Sequence, residues 1–75
     1  GVVMFVFFEH LRKLRHDNGS TQKQVAEFLK ITERSYQKLE AGAAKPSYDS
    51  LIALADFFDV SLDYLVGRSD VKERR

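Results

Sequence analysis

The sequence contains no cysteine and no tryptophan, with a single proline and a single methionine. Without cysteine there is no disulfide and no thiolate metal site to staple a small fold, and the composition suits a reducing compartment, so a cytoplasmic location is expected. One proline and four glycines exclude a collagen-like chain or a linker. The only strongly apolar run, residues 2–8, is far shorter than the roughly 20 residues a membrane helix needs, and no basic stretch precedes it as in a secretory signal. Neither a membrane span nor export is expected. At 75 residues there is no room for separate cofactor and substrate lobes. A domain this small buries only roughly 60% of the surface its unfolded chain exposes, so regular packed helices or self-association must supply its stability.

Hydrophobic residues make up 44% of the chain and charged residues 31%, a composition that folds. The net charge of +1 conceals a division along the chain. Residues 1–45 carry eight Lys/Arg against five Asp/Glu, residues 46–67 carry four Asp and no basic residue, and residues 68–75 carry four Lys/Arg against two acids. A basic first half can face a polyanion, although a charge run is as often a solvated face.

Apolar residues recur with helical spacing from Phe7 onward, where Phe7, Leu11 and Leu14 stand at i, i+4 and i+7 between Arg12, Lys13 and Arg15. Only residues 2–8 leave room for a period of two. Asn18-Gly19 ends the first helix. Thr21 with Gln24 three residues on fits a capping box for a second helix, with Val25, Ala26, Phe28 and Leu29 as its buried face. Thr32 caps a third over Glu33 to Glu40 with Tyr36 and Leu39 inward, and Gly42 closes it. Ser47 caps a fourth carrying Leu51, Leu54, Ala55 and Phe58, and Ser61 caps a short fifth carrying Leu62, Leu65 and Val66 ahead of Gly67. The expected class is all-α with five helices. Phe57, Phe58 and Tyr64 are expected in the core, and any of them left exposed could form a dimer seam.

His10 and His16 are six residues apart, so one helix face cannot present both to a metal, and each is expected at the surface. No nucleophile elbow, metal-binding histidine pair or phosphate-cradling glycine loop occurs. No enzyme, metal or cofactor is expected.

Two short helices joined by a turn of about three residues, inside a basic half, are the arrangement that places a helix in the DNA major groove. The stretch from Thr21 to Gly42 (TQKQVAEFLKITERSYQKLEAG) resembles the helix-turn-helix of the phage-repressor and Cro-like, or xenobiotic-response-element, family. The likeness extends to Leu11–Arg15, to Pro46-Ser47 with Leu51, and to Val60–Leu65, so that residues 7–67 are covered. The resemblance implies a compact five-helix lambda-repressor-like domain at 7–67, with an apolar extension at 1–6 and a polar tail at 68–75. It implies a sequence-specific transcriptional regulator, a repressor in the first reading, that binds a palindromic operator in double-stranded DNA as a homodimer. An antitoxin, a restriction-system controller protein or a protein-interaction module on the same fold remain alternatives, and a regulatory protein partner is compatible with each. Exposed apolar surplus near the fifth helix and at residues 4–8 is where a dimer seam is expected.

Residue by residue, the resemblance puts base contacts on Thr32, Glu33, Arg34 and Lys38. Arg34 is the choice for guanine, because a planar fork matches the two acceptors on its major-groove edge. Glu33 can accept from a cytosine amino group, or simply favour the helix dipole. Backbone contacts fall on Ser20, Gln22, Lys23, Gln37 and Lys45, with Gln22 also bracing the third helix. Arg15 and Glu40 match the family's buried ion pair, and Ala26 and Tyr36 its close-packing positions. Where the family commonly has glycine in the turn, this chain has Lys30, which leaves the turn geometry open.

Overall fold

The computed structural model describes residues 2–67, with side chains from Phe7 onward. The polar tail expected at 68–75, and the side chains of the apolar surplus at residues 4–6, lie outside the described residues. Five helices follow one another: α1 (Val2–Asn18), α2 (Gln22–Leu29), α3 (Glu33–Glu40), α4 (Tyr48–Phe58) and α5 (Leu62–Leu65). No strand occurs among the described residues.

Each of α2 to α5 starts on a hydroxyl that accepts from a backbone amide left over in the first turn, namely Thr21 from Gln24, Thr32 from Ser35, Ser47 from Ser50 and Ser61 from Tyr64. At α2 the bond is reciprocal: the Thr21 amide donates to Gln24 Oε1 at 2.8 Å while the Gln24 amide donates to Thr21 Oγ1 at 3.0 Å. The exits are equally local. Lys30 leaves α2 in the left-handed region at φ 60°, and the next amide, Ile31, donates back to the Ala26 carbonyl at 3.1 Å. The turn thus keeps the left-handed geometry with a lysine where glycine is common, at a strain of about 1 kcal/mol. Asp59 leaves α4 in the same way at φ 54°.

The core joins Phe7 and Leu11 of α1, Val25 and Ala26 of α2, Tyr36 and Leu39 of α3, Leu54 and Ala55 of α4, Val60 and Leu65. Helix α2 packs on α3 and α4, while α1 runs behind them against α3, α4 and α5. Leu51, Phe57, Phe58, Leu62 and Tyr64 are partly buried around this centre. Gly42, just past α3, sits at φ 75° under the Phe8 ring, where an added Cβ would lie 2.9 Å from two ring carbons. That contact fixes the loop after α3 against α1.

Three expectations change. The first helix begins at Val2 rather than Phe7, so residues 2–8, where a period of two was conceivable, are helical; propagating an existing helix costs far less than nucleating one, which outweighs the strand preference of valine and phenylalanine. Phe28 does not join the buried face of α2: it is 49% exposed, with its ring edge against Phe57 at 5.1 Å. His10 is partly buried, not a free surface residue. Its Nδ1–H donates to the Tyr64 carbonyl at 2.9 Å and its ring stacks on the Tyr64 ring at 5.1 Å, tying α1 to α5.

Candidate nucleic-acid interface

Helix α3 is eight residues long and buries one side only, through Tyr36, Leu39 and Glu40. At 100° per residue the opposite side carries Arg34 and Lys38, with Glu33, Ser35 and Gln37 on the flanks. All five, and Thr32 at the cap, are exposed. Thr32 is not idle there. Its oxygen accepts from the Ser35 amide at 3.1 Å and its proton goes to Ser35 Oγ at 2.9 Å, so its hydroxyl is engaged in the cap.

The orientation of this face is set from behind by charge. The Arg15 guanidinium on α1 meets the Glu40 carboxylate on α3 in a two-pronged contact, Nε to Oε2 at 2.5 Å and Nη2 to Oε1 at 3.1 Å. Side-chain exposure is 13% for Arg15 and 5% for Glu40, so this is a desolvated pair. Arg15 Nη1 also donates to the Ser20 carbonyl at 3.1 Å, which fixes the segment between α1 and α2. Burial pushes the Glu40 carboxyl up, but hydrogen bonding from Arg15, with Tyr36 and Gln22 beside it, outweighs burial and holds it below its ordinary value. The bond to Glu40 raises Arg15 in turn. The Tyr36 phenol is raised as well, first by burial and then by the neighbouring carboxylate. Its hydroxyl approaches Glu40 closely enough to feel that charge but makes no hydrogen bond of ordinary geometry.

Helix α2 joins the same network. Gln22 Nε2 donates to Glu40 Oε1 at 3.2 Å, and Gln37 Nε2 on α3 donates to Gln22 Oε1 at 3.3 Å. Four polar side chains from three helices are thereby strung together: Arg15, Glu40, Gln22 and Gln37. The resemblance implied that Gln22 braces the third helix, but its two partners there, Glu40 and Gln37, were not named by it. They lie 18 and 15 residues away, a separation that no helical periodicity connects. Of the other expected positions, Lys23 is exposed on the first turn of α2 and Lys45 is exposed in the loop between α3 and α4. Ser20 is partly buried, and its Oγ accepts from Asn18 Nδ2 at 2.6 Å. Among the described residues no group of His, Cys, Asp and Glu is arranged to hold a metal, and no helix is long and apolar enough to cross a membrane.

A short helix with a cationic outer face, crossed from behind by another through a three-residue turn, is the geometry of a groove-reading pair. The helix-turn-helix family model matches residues 11–65. The chain belongs to the Cro/C1-type helix-turn-helix family. Among similar helix-turn-helix proteins, the HTH-type transcriptional regulator YobD of Bacillus subtilis is 40% identical over 87% of this chain and 58% of its own length. The cryptic phage CTXphi transcriptional repressor RstR of Vibrio cholerae is 37% identical over 80% of this chain and 54% of its own. The crystal structure of a transcriptional regulator from Listeria innocua superposes with a TM-score of 0.79 at 36% identity, covering 85% of this chain and 60% of that one. This helix-turn-helix chain therefore spans little more than half the length of these relatives.

Proposed function

We propose that the chain binds double-stranded DNA sequence-specifically as a transcriptional regulator, with α3 in the major groove. The observation that carries this is the exposed pair Arg34 and Lys38 on a helix whose rotation is fixed from behind by the desolvated Arg15–Glu40 contact. Arg34 addresses guanine through its fork, and Lys38 reaches an acceptor one turn further on. Thr32, its hydroxyl engaged in the cap, offers its methyl to a thymine methyl, and Glu33 accepts from a cytosine amino group. Lys23, Lys45 and Ser20 grip phosphates on either side, and Gln22, at the start of α2, stands where a helix amino terminus favours an anion.

The name of RstR supports repression; a homodimer on a palindromic operator with half-site centres about 34 Å apart, in the cytoplasm, completes the proposal. Selection from a random DNA pool tests the reading. Wild-type protein enriches one sequence, Arg34→Ala relaxes a single base pair at a cost of about 1–3 kcal/mol, and Lys45→Ala weakens all sequences alike. Binding that enriches nothing and does not weaken with salt refutes DNA recognition. Sedimentation showing one chain per selected site refutes the homodimer.

A further inference from the structure

The polar chain that ends on α3 has a direction, and the direction decides what Gln37 offers to solvent. It starts at Glu40, 4% exposed and engaged by Arg15 at both oxygens. A carboxylate only accepts, so any further group on Oε1 must donate. Gln22 accordingly turns its NH2 toward Glu40 and leaves its own carbonyl oxygen facing the other way. That oxygen also only accepts, so it is met by the NH2 of Gln37. Flipping either amide would set oxygen against oxygen. Amide orientation is ordinarily a choice made from the surrounding network; here the buried charge at the origin makes it. What remains of the Gln37 amide is its carbonyl oxygen and its second N–H, on an exposed residue three positions from Arg34 and next to Lys38.

We propose that Gln37 reads a base, adenine, and is not the backbone anchor that its position implied in the sequence. Its Oε1 accepts from the adenine N6 amino group while the spare N–H donates to N7, a pairing that needs the acceptor outward. A phosphate, which offers only acceptors, would engage the spare N–H alone and leave the carbonyl oxygen unmet, whereas adenine engages both. Gln22 acts as the positioning residue, holding the Gln37 amide at the required rotation. This assignment rests on the DNA reading above.

The test is selection from a random duplex pool with wild type, Gln37→Ala, Gln37→Glu and Gln22→Met, each checked for folding by circular dichroism. The selected site is then titrated at several salt concentrations. Expected for the wild type is one column fixed as adenine. Gln37→Ala loses that column and at least about 5-fold in affinity, with an unchanged salt slope. Gln37→Glu, which loses both N–H donors and with them the bond to Gln22, also loses the adenine column. Gln22→Met blurs the same column while Arg34's guanine persists. Wild-type enrichment with the column intact in Gln37→Ala overturns the assignment alone. So does a uniform loss across sequences, which marks a phosphate contact; because glutamine is neutral, the salt slope stays unchanged in either case. A wild-type pool that enriches nothing removes the DNA reading and this assignment together.

Discussion

Replacing Arg15 by methionine keeps most of the side-chain volume and removes the charge that compensates Glu40, together with the bond to the Ser20 carbonyl. Breaking one side of a buried pair costs about 3–5 kcal/mol, because the surviving charge stays desolvated. Here the Gln22 bond to Glu40 persists and is worth about 1 kcal/mol, so a loss of about 2–4 kcal/mol is expected. For a chain this short, whose whole stability is about 4–11 kcal/mol, that is a large fraction. The melting temperature should fall by about 10–30 °C. Urea unfolding at pH 7, followed by circular dichroism, measures it.

The pH dependence gives an independent sign. In the wild type the Glu40 carboxyl lies below its ordinary value of 4.5 when folded, so its stabilisation is complete above that pH and lost as pH falls through the lowered value. In Arg15→Met the main lowering contact is gone and burial dominates, which pushes the carboxyl up. The variant should then gain stability as pH drops from neutral toward the carboxylate range, opposite to the wild-type trend. A variant within about 0.5 kcal/mol of wild type, with the same acid limb, would falsify the claim of a desolvated pair, since that is how an exposed pair behaves.

Tyr36→Phe removes a buried hydroxyl that has no regular hydrogen bond, so stability should hold or rise by up to about 1 kcal/mol; a loss above about 1 kcal/mol in the same urea assay would show that Glu40 uses the hydroxyl. Gly42→Ala meets both a positive φ and the Phe8 ring at 2.9 Å, whereas Gly19→Ala meets only a positive φ with nothing within 4 Å. Thermal melts should show Gly42→Ala as clearly the worse of the two, with Gly19→Ala costing about 1 kcal/mol; equal losses would mean that Phe8 yields freely.

The helix starts were legible because capping is local chemistry: a hydroxyl and the amide three residues on are both printed in the sequence, and all four caps occur where that pattern stands. The exit at Asp59 was not, since aspartate enters the left-handed region far less often than glycine and carries no comparable signal. Phe28 shows the limit of reading apolar spacing. Val25, Ala26 and Leu29 define a buried direction on α2, and Phe28 points roughly 100° away from it, so its hydrophobicity was counted where its angle was not. His10 was beyond reach for another reason, and of the glutamine chain only the bracing role of Gln22 entered, through the family resemblance. His10 meets a carbonyl 54 residues away and Gln22 a carboxylate 18 residues away, contacts that only the finished packing creates. The Arg15–Glu40 pair, separated by 25 residues, entered only through the family resemblance.

Why a carboxylate stands at this place is a question of orientation. Helix α3 is too short to persist alone and buries just two apolar side chains, Tyr36 and Leu39, each worth about 1.5–3 kcal/mol. A leucine at position 40 beside a methionine at 15 would bury comparable area with no desolvation cost, and such exchanges are commonly neutral or stabilising by about 1–4 kcal/mol. Apolar contact is non-directional, however, and tolerates rotation of α3 about its axis, whereas two prongs from Arg15 and a directed bond from Gln22 do not. The double variant Arg15→Met/Glu40→Leu should therefore regain the stability that Arg15→Met loses and still bind selected DNA with blurred specificity, first at the position assigned to Gln37. Recovery of stability and full specificity together would mean that packing alone aims the helix.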